Sequence, residues 1–292
     1  MSINRNKEIL LSLGLISEES IHQYAAQVRD REDVGVLIDT TSGIVFLDRS
    51  DHLEIGYYEA MEEGAYWGGE DRESALKKYA SDDSRRFEQF KDYFADKDLL
   101  DVGCGTGGFL DYAKPVCKKV AGVEPQEGVR KGLESLGYEM YRVPEDIPRN
   151  SFDVITLFHT LEHLIEPLKV LENLKQALRP GGVLIAEVPH ARDALFALDT
   201  FKNFSLWGEH MILHTQESLR KFLSVTGLNE IEVFGHQRYS MANHLGWLAC
   251  GLPGGQKLFT INGDGKNEMD MQYRDLLISD DKTDTIIAIA RV

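Results

Sequence analysis

Five of the nine histidines in this 292-residue chain, His159, His163, His190, His210 and His214, stand where a ring nitrogen could take a proton from a reacting group. Two have a glutamate as neighbour: Glu162 precedes His163 and Glu209 precedes His210. A second chemical signal is residues 98–109, DLLDVGCGTGGF, an apolar run closed by an acid and then by closely spaced glycines. Glycines there let the chain turn with positive φ and let a ligand approach the backbone, and the helix that follows offers unpaired N–H groups. The spacing fits two cofactors. Read as Gly103, Gly105 and Gly108 it is a dinucleotide loop; read from Asp101 it is an S-adenosylmethionine loop. A carboxylate at the strand end repels a pyrophosphate and suits an ammonium or sulfonium cation. Glu124, about twenty residues further on, could accept hydrogen bonds from two ribose hydroxyls, which either cofactor would offer.

Elements must hold these groups in place. Residues 98–102, 119–123, 141–143, 152–159 and 183–188 read as short buried strands, and 85–95, 127–136, 168–178 and 215–225 as helices between them. Alternation of that kind implies a parallel sheet covered by helices, with ligands at the carboxyl ends of the strands. Residues 230–234 and 285–290 look like the last two strands. About fifty residues rich in aromatics lie between them, including HQRYSMANHLGW and a GLPGG stretch that could hinge a lid. Before the sheet, residues 4–13 and 18–29 show apolar spacing of amphipathic helices, with Ser17 as N-cap of the second, and 34–48 reads as a β-hairpin.

The ordered segments DVGCGTGGFL, GVEP, FDVITLFHTLEHL and LRPGG are similar to those of class I S-adenosylmethionine-dependent methyltransferases. The resemblance covers roughly residues 85–228 and is greatest for the branch that methylates sugars and other small metabolites. It implies an α/β fold: a Rossmann-like, seven-stranded, mostly parallel sheet with an antiparallel last strand, helices on both faces and an N-terminal helical and hairpin extension. Residues 1–84 would form that extension, and 85–292 the S-adenosylmethionine-binding domain, with an insertion at 236–281 as a substrate lid. The cofactor would be S-adenosyl-L-methionine and its product S-adenosyl-L-homocysteine, held by Asp101, Gly103, Cys104, Gly105, Gly107, Phe109, Glu124, Pro125, Gln126, Pro144, Glu145, Phe158 and His159. The stretch LWGEHMILHTQESL resembles the Glu-His pair that certain sugar C-methyltransferases place over the sugar. His210 would then be the base, with Glu209 beside it and His159 as the alternative. Those enzymes have a tyrosine where this chain has Trp207, which speaks against a C-methylation. His190, Trp207, Arg238, Tyr239, Asn243, Tyr58 and Trp67 are the expected acceptor-binding residues. Glu162 and His163 more readily fix a loop, and His214 a helix start. No histidine pair has the H-E-x-x-H order of a zinc site, so no metal is expected.

Composition narrows the partners. The formal net charge of -16, with no Lys/Arg cluster, disfavours nucleic acid and an anionic membrane surface. Three cysteines without a C-x-x-C pair disfavour a disulfide framework or cysteine zinc site, and no stretch approaches eighteen apolar residues. The expectation is a cytoplasmic enzyme with a small-molecule acceptor, able to form a homodimer. A quinone-like phenol is the other acceptor class considered, and a cofactor-binding interaction protein without turnover is the alternative of a different class.

Overall fold

The computed structural model describes residues 4–53, 57, 71–257 and 268–292. Its main element is a seven-stranded, mostly parallel sheet with an antiparallel last strand and helices packed around it. The strands are β4 (Asp98–Val102), β5 (Lys119–Val123), β6 (Glu139–Tyr141), β7 (Phe152–Phe158), β8 (Leu178–Pro189), β10 (Asn229–His236) and β11 (Thr285–Arg291), in spatial order β10-β11-β8-β7-β4-β5-β6. All five residues of β4 are buried between its parallel neighbours β5 and β7, which is why that stretch reads as apolar without alternation. Its register sets Asp101 opposite Gly122 of β5 and Thr156 of β7. Among the described residues, no helix is long and apolar enough to cross a membrane.

Among the described residues the longer helices are α1 (Arg5–Ser12), α2 (Arg72–Phe94), α3 (Gly108–Ala113), α4 (Glu127–Ser135), α5 (Pro167–Ala177), α6 (Asp199–Ser205), α7 (Gln216–Val225), α8 (Met241–Cys250) and α9 (Glu268–Ser279). Helix α2 begins at Arg72, well before the expected start at residue 85, because Asp71 caps it by accepting the Ser74 N–H at 2.8 Å. Strand β8 begins at Leu178, ahead of the expected start at residue 183; Gly181 takes a φ of 76° there and the strand continues.

A smaller antiparallel sheet, β1-β2-β3-β9, is built from β1 (Ile21–Ala25), β2 (Val36–Asp39), β3 (Val45–Leu47) and β9 (Ile212–Leu213). The hairpin expected at 34–48 is β2 and β3. The helix expected at 18–29 is not formed: β1 occupies it, paired to β2 with a bulge between Gln23 and Ala25. Ile21 and Tyr24 fit a helical period and an irregular strand about equally, and the pairing partner decides. Ser17 caps no helix, since its N–H donates to Asp39 Oδ2 and its hydroxyl meets Ser20.

Two compact units divide the chain. One comprises Met1–Leu53, Glu187–Lys221 and Glu232–Ala288, and the other Glu54–Ala186, Phe222–Ile231 and Ile289–Val292. Within the first, the segment between β10 and β11 folds into α8 and α9. Ser240 caps α8, Gly251 ends it with a φ of 63°, and Gly255 presses against Gly246 so closely that a Cβ on either would strike backbone of the other's segment. Gly246→Val should therefore lower the unfolding free energy by about 1–3 kcal/mol, the usual cost of overpacking. Urea denaturation followed by circular dichroism would measure it, and an unchanged midpoint would contradict this packing.

Candidate active site

The candidate donor site begins where β4 ends. Asp101 is buried and accepts a hydrogen bond from the Thr156 hydroxyl at 2.7 Å. Burial pushes its carboxyl up to about 7 against the pull of that bond. Gly103, Gly105 and Gly107 have φ of 71°, 53° and 79°, so the backbone turns through conformations that cost a side chain dearly. A Cβ on Gly103 would lie 2.5 Å from the Thr160 hydroxyl, which itself donates to Val102 O at 3.0 Å. Gly107 then opens α3. Asp83 of α2 lies against Gly108 and pairs with Arg86 at 3.7 Å; burial pushes its carboxyl up to about 6.

Glu124 follows β5. Its Oε1 accepts the Gln126 N–H at 2.9 Å, and burial, opposed by backbone bonds from Gln126 and Gly105, pushes its carboxyl up to about 7. Gln126 is itself buried, and its Oε1 has no hydrogen-bond partner among the described residues. A buried acceptor without a donor costs free energy, so the atom suits a ligand hydroxyl or amino group. Arg130 fixes this turn by donating to the carbonyls of Glu124 and Pro125, both at 2.9 Å. Cys104 packs its buried Sγ against Gly122 and Leu133. Phe109 and Phe158 meet edge to face at 5.0 Å within a cluster completed by Phe90 and Phe94, with the Arg86 guanidinium 4.8 Å over the Phe158 ring. Pro144 and Glu145 form a 3₁₀ turn after β6, where Glu145 pairs with Lys169 at 3.1 Å.

His159, at the end of β7, has a φ of 50°, unusual for a residue with a side chain and a mark of sites held for function. Its Nδ1 lies 3.2 Å from Glu162 Oε1, and the same oxygen is 3.9 Å from His163 Nε2. Residues Leu161–His163 form a 3₁₀ turn, so His159 and His163 do not share an α-helical face. Glu162 is fully buried between the two rings, and burial lowers the pKa of His163.

The other unit carries the residues expected to meet the acceptor. Trp207, Gly208, Glu209 and His210 form a turn closed by the His210 N–H on Trp207 O at 3.2 Å. Trp207 stacks on the Arg29 guanidinium at 4.6 Å. His190 is completely buried: Nδ1 faces Thr283 O at 3.0 Å, Nε2 faces Asp281 at 3.5 Å, and burial pushes its pKa down to about 4. This neutral ring anchors the start of β11. His214 likewise packs at the start of α7, with Nδ1 3.0 Å from the Ser218 hydroxyl. Arg238 and Tyr239 both give their backbone N–H groups to Asp284 Oδ2 at 3.0 Å, and the Arg238 guanidinium lies 5.3 Å from the Tyr239 ring. Asn243 is buried in the first turn of α8. Tyr58 and Trp67 lie outside the described residues.

Sequence reasoning missed Thr156, Asp83 and Asp284. Thr156 had a signal, a hydroxyl in an apolar strand that parallel register sets beside Asp101. The other two had none short of the fold.

This arrangement, an acid and three positive-φ glycines after the central strand with a second acid after its neighbour, defines a class I methyltransferase. A family model described as a methyltransferase domain matches residues 73–233, more than half of the chain, and the chain belongs to that family. S-adenosylmethionine is its methyl donor and S-adenosylhomocysteine the product. Among similar proteins, a ubiquinone biosynthesis O-methyltransferase of Actinobacillus pleuropneumoniae is 37% identical over 102 residues, 30% of this chain and 44% of that protein. A thiol S-methyltransferase of Rattus norvegicus is 32% identical over 125 residues, 38% of this chain and 51% of that protein. The chain thus spans about half or less of the length of these relatives. In fold, a SAM-dependent methyltransferase from Archaeoglobus fulgidus matches with a TM-score of 0.51 at 17% identity, covering 78% of this chain and 97% of that one. A chain from the Haloferax volcanii complex of the Trm112 methyltransferase activator with a methyltransferase matches with a TM-score of 0.54 at 13% identity, covering 80% and 98%.

Proposed function

We propose that this chain transfers the methyl group of S-adenosylmethionine to a hydroxyl of a small acceptor: a sugar, a nucleotide sugar or a polysaccharide precursor. The observation that carries the transfer is the buried Asp101 at the glycine turn, whose carboxylate suits the cationic end of the donor. Glu124 and the open Gln126 Oε1 suit its ribose and adenine groups. S-adenosylmethionine, when bound, supplies an already activated methyl, so what remains for the chain is alignment and proton removal. His210 takes the acceptor proton with Glu209 beside it, and His159 is the alternative base. Arg238, Tyr239 and Asn243 of the lid at 236–281 contact the acceptor, with Arg238 suited to a phosphate.

The sugar assignment rests on the Trp207–His210 stretch. The matches to ubiquinone biosynthesis O-methyltransferases favour a second reading, a phenolic acceptor. Tritiated S-adenosylmethionine incubated with nucleotide sugars and, separately, with catechols separates the two. Label in the sugar fraction alone supports the first, and label in the catechol alone overturns it. In the productive assay, Arg238→Ala should raise the acceptor KM at least ~10-fold, the loss of one charged hydrogen bond, with donor affinity unchanged. An unaltered KM would remove Arg238 from the acceptor site.

A further inference from the structure

The turn that carries Glu209 and His210 is held by residues from the first 53 positions of the chain, within the same compact unit. Both backbone groups of Gly208 are taken: its N–H donates to Asp30 Oδ1 at 2.8 Å and its carbonyl faces His52 Nε2 at 2.6 Å. That contact places the His52 ring proton on Nε2. Just before the turn, the Arg29 N–H donates to Leu206 O at 2.8 Å and the Arg29 guanidinium lies between the rings of Phe204 and Trp207, at 4.5 and 4.6 Å. Just after it, Leu47 N–H donates to Met211 O at 3.1 Å and β9 continues as the edge partner of β3. A Cβ on Gly208 would stand 3.2 Å from both Arg31 Cδ and Asp30 Oδ2, so the grip closes on a residue with no side chain.

We infer that Asp30 and His52 are positioning residues: by clamping the two peptide groups of Gly208 they set the Glu209–His210 pair in place before any acceptor arrives. A turn of four residues has little stiffness of its own, and ordering it on binding would cost conformational entropy at each residue. A prepaid orientation is what proton removal in an aligned complex needs. The N-terminal extension therefore serves the reaction without touching the reacting atoms. The inference rests on the reading of His210 as the base for its purpose, though not for its geometry.

The test uses the full chain with S-adenosylhomocysteine present. In Asp30→Ala/His52→Ala, amide exchange across residues 206–213 should accelerate at least ~10-fold, as expected when a local opening loses two hydrogen bonds. The His210 ring ¹⁵N resonances should move toward those of an unstructured histidine. Asp30→Asn/His52→Gln, which keeps the acceptor and the donor, should restore both. Should the alanine pair fold poorly, single His52→Ala serves, with acceleration of at least ~3-fold, the lower end expected for one such bond. Exchange and ring resonances within twofold of the parent protein, or the Asn/Gln pair behaving like the alanine pair, would overturn the inference. Failure of the base reading shows separately: His210→Asn would keep full turnover while the exchange result stood.

Discussion

Affinity for S-adenosylmethionine should rise steeply between pH 5 and 8, and Asp101→Asn should flatten that rise while weakening binding at pH 8 by about 1–3 kcal/mol. The donor-free protein holds Asp101 and Glu124 as buried carboxyls with pKa pushed up to about 7, against an ordinary value near 4. An ammonium placed beside Asp101 favours the ionised form, so binding below pH 7 must release the proton, and each such proton adds up to tenfold in affinity per pH unit. The same shifts set the stability of the donor-free protein. Below pH 4 both carboxyls are protonated, folded or unfolded, and their contribution is fully present. Between about 4 and 7 the unfolded chain releases protons that the folded one keeps, so stability falls as pH rises and the contribution is lost above 7. Calorimetry in two buffers of different ionisation enthalpy would count the protons directly. Equal affinity at pH 6 and 8, with no proton release, would mean that these acids are ionised before the donor arrives.

How much of this was legible in the sequence depends on the range of the forces involved. Strand β4 and the glycine turn could be read because a central parallel strand is apolar throughout and because positive φ calls for glycine, both local properties. The stretch at 18–29 misled because its apolar spacing satisfies a helix, while its actual partner, β2, is a separate segment whose edge takes up Ile21 to Ala25. His190 follows strand β8, as a proton acceptor should, yet its ring is completely buried beside Thr283 and Asp281, which only the fold reveals. The grip on Gly208 lay furthest out of reach. Its two side chains are separated from it by 178 and 156 positions, and neither Asp30 nor His52 sits in a motif.

His210→Asn should lower turnover at least ~100-fold, the usual contribution of a general base, and leave donor affinity barely changed. A hydroxyl is a poor nucleophile at neutral pH until its proton begins to leave, and asparagine keeps the shape and a hydrogen bond of histidine without a basic nitrogen of useful pKa. The competing candidate is His159, whose Nδ1 is already turned to Glu162 and whose backbone holds an uncommon φ of 50°. The two assignments differ in what else they disturb. His159 follows β7, the strand paired beside the one that carries Asp101, so His159→Asn should shift donor affinity, whereas a base that meets only the acceptor should leave it unchanged. Single-turnover methyl transfer, with donor binding measured in parallel, tells them apart. A ~100-fold loss in His159→Asn with near-normal His210→Asn would move the base to His159, and the Trp207–His210 turn would then serve the acceptor only.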